Sequence, residues 1–161
     1  MTLIDDNHLT DIVDRKDIII GKDTKENKFK KELISRNVVA FIKNSKNQYI
    51  IVKRSSKKKV FPNLFDLAAC GHVLSGESLD EAIKREIKEE LGIRCKVKLL
   101  TKKYNERKIN YRKIKLNEEL SSYTLKTLPE LLEAIGKNPQ SFSPFLIDEL
   151  KEIKSLLAKY E

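Results

Sequence analysis

The sequence is poor in the residues that mark secreted, membrane-spanning or low-complexity proteins. Its 161 residues include no tryptophan, one methionine, two cysteines, four prolines and five glycines. Cys70 and Cys95 form neither a CxxC motif nor a disulfide framework, which suits a reducing compartment. The longest aliphatic runs, such as residues 49–52, are too short to span a bilayer, and the N-terminus has no apolar signal-peptide core. We therefore expect a cytoplasmic protein with no membrane association.

Charged residues, in contrast, are abundant and unbalanced. Lys and Arg number 33 against 24 Asp and Glu, which gives a net charge of +9. Such a charge fits an enzyme for polyanionic small molecules, a nucleic-acid binder, or a solvated lysine-rich surface. The densest basic run, residues 53–59, lacks interleaved aromatic residues and so favours a phosphate-facing loop over a nucleic-acid track. Arg54, Lys57 and Lys58 are therefore candidate substrate-binding residues, and nucleic acid is a partner left open but not favoured.

The order of the predicted elements indicates an α+β (mixed α/β) fold in one domain, residues 1–161. Apolar patterning predicts strands at 18–20, 37–43, 48–54, 64–69, 96–103, 108–116 and 123–125, and helices at 78–91, 129–136 and 144–160. The strands at 37–43 and 48–54 are predicted to form a hairpin around the polar turn between them. The charged stretch 23–31 is predicted to be a loop with a helical turn.

The predicted helix at 78–91 has the clearest boundaries and the least expected residue pattern. Ser78 and Glu81 have capping-box spacing, and Gly92 follows as a natural stop. At about 100° per residue, Glu90 falls inside the apolar stripe, where a leucine would be expected, and Glu86 and Glu89 border it. The stripe itself consists of Leu79, Ile83, Ile87 and Leu91.

A carboxylate beside a core stripe costs several kcal/mol unless it is compensated, and three sharing one arc repel one another. The residues 84–90 could form a solvated face with i,i+4 ion pairs. The position of Glu90 favours a bound divalent cation instead, because Mg²⁺ takes several hard oxygen ligands.

Residues 71–93, GHVLSGESLDEAIKREIKEELGI, match the pattern G-x5-E-x7-R-E-U-x-E-E-x-G-U at every fixed position. The segment therefore resembles the Nudix box, and the strand order around it is similar to that family's. The resemblance implies a Nudix-type α/β/α sandwich with a mixed central sheet. It also implies a Mg²⁺-dependent hydrolase, with Mn²⁺ as an alternative metal, that cleaves a pyrophosphate bond in a small-molecule diphosphate substrate. A nucleoside-diphosphate-linked compound is one such substrate.

The same resemblance implies roles for individual residues. A metal-activated water would attack phosphorus, helped by positioned charge rather than by a covalent intermediate. Either Glu86 or Glu90 would serve as general base. The implied metal ligands are Glu86, Glu89, Glu90 and the Gly71 carbonyl, with Glu77 supporting the metal shell and Arg85 orienting a box glutamate.

A further likeness, covering most of the chain, is to the Nudix branch that contains type 1 isopentenyl-diphosphate isomerases. Its local matches include residues 12–14, 53–55, 61–62, 65–66 and 142–145. Cys70 then looks like the isomerases' catalytic cysteine, and His72 resembles their metal ligand. However, Lys28 and Ser35 stand where those enzymes carry upstream histidines. Residues 105–106 are at best a remnant of their paired-glutamate motif, and the region 93–117 is shortened.

The residues themselves favour simpler interpretations than the isomerase likeness. Cys70 is interpreted first as a small buried residue before a glycine turn, and His72 as a bystander or a substrate contact rather than a metal ligand. Cys95 is expected in the core. Three functional hypotheses follow: a pyrophosphohydrolase, an isomerase-like enzyme using Cys70, or a non-catalytic nucleotide- or RNA-binding domain. The sequence identifies neither the substrate nor the oligomeric state, and a homodimer is left open.

Overall fold

The computed structural model of the protein describes residues 8–58, 60–102 and 120–160. The chain folds into two compact units, each made of two stretches. Unit 1 comprises Met1–Val39 and Cys70–Arg112, and unit 2 comprises Ala40–Ala69 and Lys113–Glu161. Because the two units interleave along the chain, neither corresponds to a continuous segment. The single domain over residues 1–161 stays a prediction.

The described ranges contain seven short strands and four α-helices. The strands are β1 (Leu9–Val13), β2 (Ile19–Thr24), β3 (Asn37–Ala40), β4 (Tyr49–Arg54), β5 (Phe65–Asp66), β6 (Ala69–His72) and β7 (Leu120–Lys126). The helices are α1 (Lys25–Lys30), α2 (Leu79–Leu91), α3 (Leu128–Lys137) and α4 (Pro144–Leu157), and short 3₁₀ turns span Pro139–Ser141 and Ala158–Tyr160. Among the described helices, none has the length and apolarity needed to cross a membrane.

Unit 1 is built around α2 and two pairs of strands. β1 and β2 form an antiparallel hairpin, and β3 pairs with β6. The hairpin turn is fixed by the Asp14 carboxylate, which accepts hydrogen bonds from the backbone N–H groups of Lys16 (2.8 Å) and Ile18 (2.9 Å). Helix α2 packs onto this frame through a small apolar cluster, which consists of Val38, Val73, Ala82, Leu79 and Ile83.

Unit 2 has a three-stranded sheet in the order β5–β4–β7, with antiparallel pairing on both sides of β4. The central strand contributes Tyr49 and Ile51, each at most 2% exposed. Helix α4 begins at the Ser143 cap, whose hydroxyl accepts from the Leu146 N–H (3.0 Å). The buried apolar residues of α3 and α4 are those expected from amphipathic spacing: Leu128, Leu131, Leu146, Leu150, Ile153 and Leu157.

The α+β class and the three predicted helices are confirmed, with boundaries that differ by at most three residues. The prediction of a strand at 96–103 was wrong in its described part, because residues 93–102 have no regular secondary structure. Alternating polar and apolar residues give a strand only where a neighbouring strand completes the hydrogen-bonded ladder. The predicted strand at 108–116 lies outside the described residues. Cys95, expected in the core, is exposed.

Strand pairing also differs from the sequence prediction. The predicted hairpin between 37–43 and 48–54 is present next to its turn, where Lys43 bridges Tyr49 and the Ile50 N–H donates to the Ile42 carbonyl (2.8 Å). Further from the turn, β3 takes β6 as its ladder partner. The predicted strand at 64–69 is split into β5 and β6, and the strand expected to end at Gly21 continues to Thr24. The stretch 23–31 contains the short helix α1. Each difference depends on partners that are distant in sequence.

Candidate functional site

The close approach of Gly71 to Glu86 defines the centre of the candidate site. A Cβ atom added to Gly71 would overlap the Glu86 carboxylate, so any larger residue at this position of β6 would displace that carboxylate. Glu86 is 8% exposed although it carries a carboxylate. Its placement follows from the helix start, where Ser78 and Glu81 form a complete capping box. The cap fixes the first turn of α2, and Glu86 lies two turns further along.

Arg85 connects three box carboxylates through one guanidinium group. It binds Glu77 through two parallel hydrogen bonds, Nε to Oε1 and Nη2 to Oε2, both 2.9 Å. Its Nη1 donates to Glu86 Oε1 (2.7 Å) and to Glu89 Oε2 (3.3 Å). Nη2 also donates to the backbone carbonyl of His72 (2.9 Å), which links α2 to the end of β6. This fork geometry is specific to arginine, so the predicted orienting role is consistent with the contacts seen here.

Glu77 is anchored from two sides. Its Oε2 accepts from the Leu74 backbone N–H (3.0 Å) in addition to the Arg85 pair. Burial raises the pKa of Glu77, but the hydrogen bonds from Arg85 and Leu74 together outweigh it and hold that pKa below its usual range. In turn, the hydrogen bond to Glu77 raises the pKa of Arg85. The pair is therefore charged at neutral pH.

Glu90 lies against the same backbone segment as Glu86. Its Oε2 accepts from the backbone N–H of Cys70 (3.3 Å), one residue before Gly71. The helical wheel placed Glu90 deepest, but Glu86 is the buried carboxylate, Glu90 is half-buried and Glu89 is exposed. The reason is the glycine: it lets the β6 backbone approach and cover the Glu86 position, which a wheel of one helix cannot show.

The donor chemistry here fits a divalent cation. Glu86 and Glu90 present carboxylate oxygens along one backbone segment, and oxygen ligands of this kind suit Mg²⁺. Within the described ranges, no group of three or more His, Cys, Asp or Glu side chains is close enough together to hold a metal ion. Glu89 is instead paired with Arg85 at 3.3 Å. The assignment of a metal to Glu86, Glu89, Glu90 and Gly71 therefore stays a prediction.

The three basic candidates for substrate binding lie in unit 2 and differ from one another. Arg54 is engaged within that unit, since its Nη1 binds Asp66 Oδ2 (3.0 Å) and its Nε donates to the Val60 carbonyl (3.1 Å). The Asp66 side chain is only 5% exposed, so this ion pair is largely buried. Lys57 is exposed and Lys58 half-buried in the turn that follows Ser55. Residue 59, the last of the basic run, lies outside the described residues.

Cys70 and His72 flank Gly71 and have different surroundings. Cys70 is half-buried and is not part of a disulfide. The His72 ring packs edge-on against Phe29, with centroids 5.8 Å apart. Burial, followed by the positive charges of Lys28, Lys25 and Arg85, lowers the pKa of His72 to about 2. The imidazole is therefore neutral and can act as a substrate contact without adding charge.

One contact near the site was not anticipated from the sequence. The Asp11 carboxylate in β1 accepts from the Ser75 hydroxyl (2.7 Å) and from the Gly76 N–H (3.4 Å). The Ser75 hydrogen bond is the main cause that lowers the pKa of Asp11. This contact holds the turn that precedes α2 and therefore positions the helix. An aspartate between Thr10 and Ile12 in an otherwise apolar strand was the only sequence signal for it.

Together these features define an α+β protein in which a carboxylate-bearing helix packs against a glycine at a strand end. The family model for the NUDIX domain matches residues 33–154. The chain therefore belongs to the Nudix family.

Individual relatives agree with this membership. A Nudix hydrolase from Nostoc sp. is 36% identical over 92 residues, which is 56% of this chain but only 54% of that protein. An isopentenyl-diphosphate Delta-isomerase from Corynebacterium diphtheriae is 25% identical over 134 residues, 69% of this chain and 73% of the isomerase. A crystal structure from Deinococcus radiodurans superimposes with a TM-score of 0.71 over 89% of this chain and 98% of that one, at 24% identity. The last likeness concerns the fold alone.

Proposed function

We propose that the protein is a Mg²⁺-dependent hydrolase that cleaves a pyrophosphate bond in a small-molecule diphosphate, such as a nucleoside-diphosphate-linked compound. The observation that carries the proposal is the pair of carboxylates, Glu86 and Glu90, held on the Cys70–Gly71 backbone of a Nudix-family chain. These two residues and the Gly71 carbonyl would hold the metal, and Glu89 would join them.

The roles of the protein groups follow from their contacts. When bound, the metal would polarise a phosphoryl oxygen and favour ionisation of the attacking water. Glu86 or Glu90 would accept the proton of that water, because both carboxylates lie along the same backbone segment. Arg85 keeps Glu86 oriented, and Glu77 fixes Arg85 through its two-point contact. Lys57 and Lys58 remain candidates for phosphate contact.

The test is a product-resolved screen with Mg²⁺ against nucleoside triphosphates, nucleotide sugars, dinucleotides, capped RNA and isopentenyl diphosphate. Glu86→Gln and Glu90→Gln keep side-chain shape but remove the charge. Each is expected to lower kcat by about 10²–10³, the scale for loss of one positioned electrostatic group. Glu133→Gln is the matched control, because Glu133 is an exposed helical glutamate paired with Lys137 (2.6 Å). Unchanged turnover in both box variants would contradict the assigned roles.

A second candidate is an isomerase-like reaction using Cys70. It is favoured by the relationship to the Corynebacterium isomerase and by the backbone contact of Cys70 with Glu90. Formation of dimethylallyl diphosphate from isopentenyl diphosphate, lost in Cys70→Ala, would establish it. Tight, salt-sensitive binding of RNA without any product would instead indicate the non-catalytic alternative.

A further inference from the structure

Lys28 is a buried cation in unit 1 that the proposed chemistry does not use. It is 3% exposed, although it belongs to the short and otherwise polar helix α1. Its Nζ donates to the Ser35 hydroxyl (2.7 Å) and lies 4.8 Å from the centroid of the Phe29 ring. Neither partner carries a negative charge, and Lys28 forms no ion pair with a carboxylate of the described residues. Burying an ammonium without a counter-charge lowers the stability of the fold, so a function that needs this charge would explain the position of Lys28.

The surroundings of Lys28 increase this cost. Burial, and then the positive charge of Lys25, lowers the pKa of Lys28 to about 7. His72 is also close enough for the Lys28 charge to lower the pKa of its ring. Within the described ranges, the His72 ring packs perpendicular to the Phe29 ring, and its ring nitrogens form no hydrogen bond there. The cluster therefore has several N–H and O–H donors and no acceptor of opposite charge.

We propose that Lys28, Ser35 and His72 form a subsite that binds one tetrahedral oxyanion, a phosphate group of the substrate. The ammonium, the hydroxyl and the imidazole N–H are the donors that such a group accepts from. Ser35 and His72 are half-buried and so reach the surface, whereas Lys28 is buried. The Lys28 ammonium and the His72 ring both lie against the Phe29 ring, at 4.8 Å and 5.8 Å from its centroid. His72 directly follows Gly71, whose backbone contacts Glu86, so this subsite adjoins the carboxylate pair.

A purely structural lysine makes a different prediction from a binding lysine. If Lys28 only packs the fold, replacing it should lower stability and leave anion binding unchanged. If it is kept for binding, Lys28→Met should raise the melting temperature, because the uncompensated charge is gone, and should lose the anion. Stability gained with function lost is the pattern expected of a residue retained for its chemistry.

The binding test uses sulfate as probe, titrated by calorimetry into the full chain at pH 8 with EDTA. Ionic strength is held constant with sodium chloride, so that general screening does not change. Lys28→Met is expected to weaken sulfate binding at least tenfold, while Lys28→Arg retains it. The matched control is Lys30→Met, from the same helix, because the Lys30 side chain is 66% exposed and pairs with Glu26.

A second readout separates binding at the ammonium from a general charge effect. Sulfate stays a dianion at pH 8, so proton uptake on binding reports protonation of the protein. Uptake, measured from the dependence of the heat on the buffer, is expected for the wild type and for Lys30→Met but not for Lys28→Met. Ser35→Ala, which leaves the ammonium in place, is expected to weaken sulfate about threefold, the scale of one lost neutral hydrogen bond.

The outcomes distinguish this inference from the proposed function. Equal sulfate affinity in the wild type, Lys28→Met and Ser35→Ala would overturn it, whether or not the enzyme hydrolyses a diphosphate. The statement that the anion belongs to the substrate rests on the proposed function. It predicts that sulfate competes with the hydrolysed diphosphate and that Lys28→Met raises KM far more than it lowers kcat. Binding without competition would contradict the substrate assignment and leave a site for free phosphate.

Discussion

Arg85 in unit 1 and Arg54 in unit 2 are both partly buried arginines, and their contacts differ in kind. Arg85 is shared by the carboxylates of Glu77, Glu86 and Glu89. Among the described residues, Arg54 forms an ion pair only with Asp66, and Asp66 is itself fixed by the Ser143 hydroxyl (2.7 Å) at the start of α4. The first arginine organises groups that can take part in chemistry, whereas the second closes a structural contact.

This difference shows that residue type and charge are insufficient to assign a binding role. Both arginines stand in segments that resemble family motifs, and each directly follows a lysine. The charge of Arg54 is already compensated by the buried Asp66 carboxylate, so Arg54 is less suited to a phosphate than a cation without a counter-charge. The number and exposure of its existing partners therefore decide whether it can bind substrate.

The largest effect is expected for Arg85. Arg85→Gln leaves Glu77 and Glu86 without a counter-charge, and breaking such a buried arrangement costs about 4 kcal/mol. Arg85→Lys keeps the charge but loses the two-point contact with Glu77, so it should restore part of the stability and little of the activity. Urea unfolding and initial rates on the same samples measure both. A fully active Arg85→Lys variant would contradict the orienting role.

Arg54→Met is expected to have the second largest effect and to lower the free energy of unfolding by about 3 kcal/mol. The substitution leaves the buried Asp66 carboxylate without a counter-charge. Because this substitution is expected to affect stability and not substrate binding, KM measured on the folded fraction should change by no more than about twofold. Lys57→Met, which removes an exposed cation from the same loop, is the comparison. A tenfold rise in KM for Arg54→Met alone would restore the substrate-binding prediction.

Lys28 extends the comparison to a buried cation with no carboxylate. Its pKa lies near 7 in the folded protein and near 10.5 when unfolded. Above pH 7 the unfolded chain therefore binds more protons than the folded one, so stability rises with pH in this window. We expect a gain on the order of 2 kcal/mol between pH 7 and pH 9. Chemical denaturation across this range should show the rise in Lys30→Met and not in Lys28→Met.

The smallest effects are expected from a pair of glycine substitutions with opposite signs. Gly71→Ala should destabilise by about 2 kcal/mol, the scale of overpacking, because its Cβ meets the Glu86 carboxylate. Gly136→Ala should stabilise by roughly 0.5–1 kcal/mol, because helix α3 has open space there. Melting temperatures measure both effects. If both substitutions change the melting temperature in the same direction, the close approach at Gly71 is not a constraint.

The parts predicted well from the sequence are those fixed by local rules. The capping box of Ser78 and Glu81, the left-handed stop at Gly92 and the helix between them depend on residues a few positions apart. The box spacing likewise placed Arg85 within reach of Glu89, one turn away. Local patterns failed where distant partners matter, as for the pairing of β3 with β6 and for the strand expected at 96–103.

The sequence by itself determined the family, the α+β class and the set of charged residues from which the site is built. Those properties follow from spacing along one helix and one motif. Only the tertiary structure decided that Glu86 rather than Glu90 is buried, that Arg54 is held by Asp66, and that Lys28 and Ser35 meet. The physical reason is that burial and counter-charge depend on which backbone covers a side chain, and that backbone comes from residues far away in sequence.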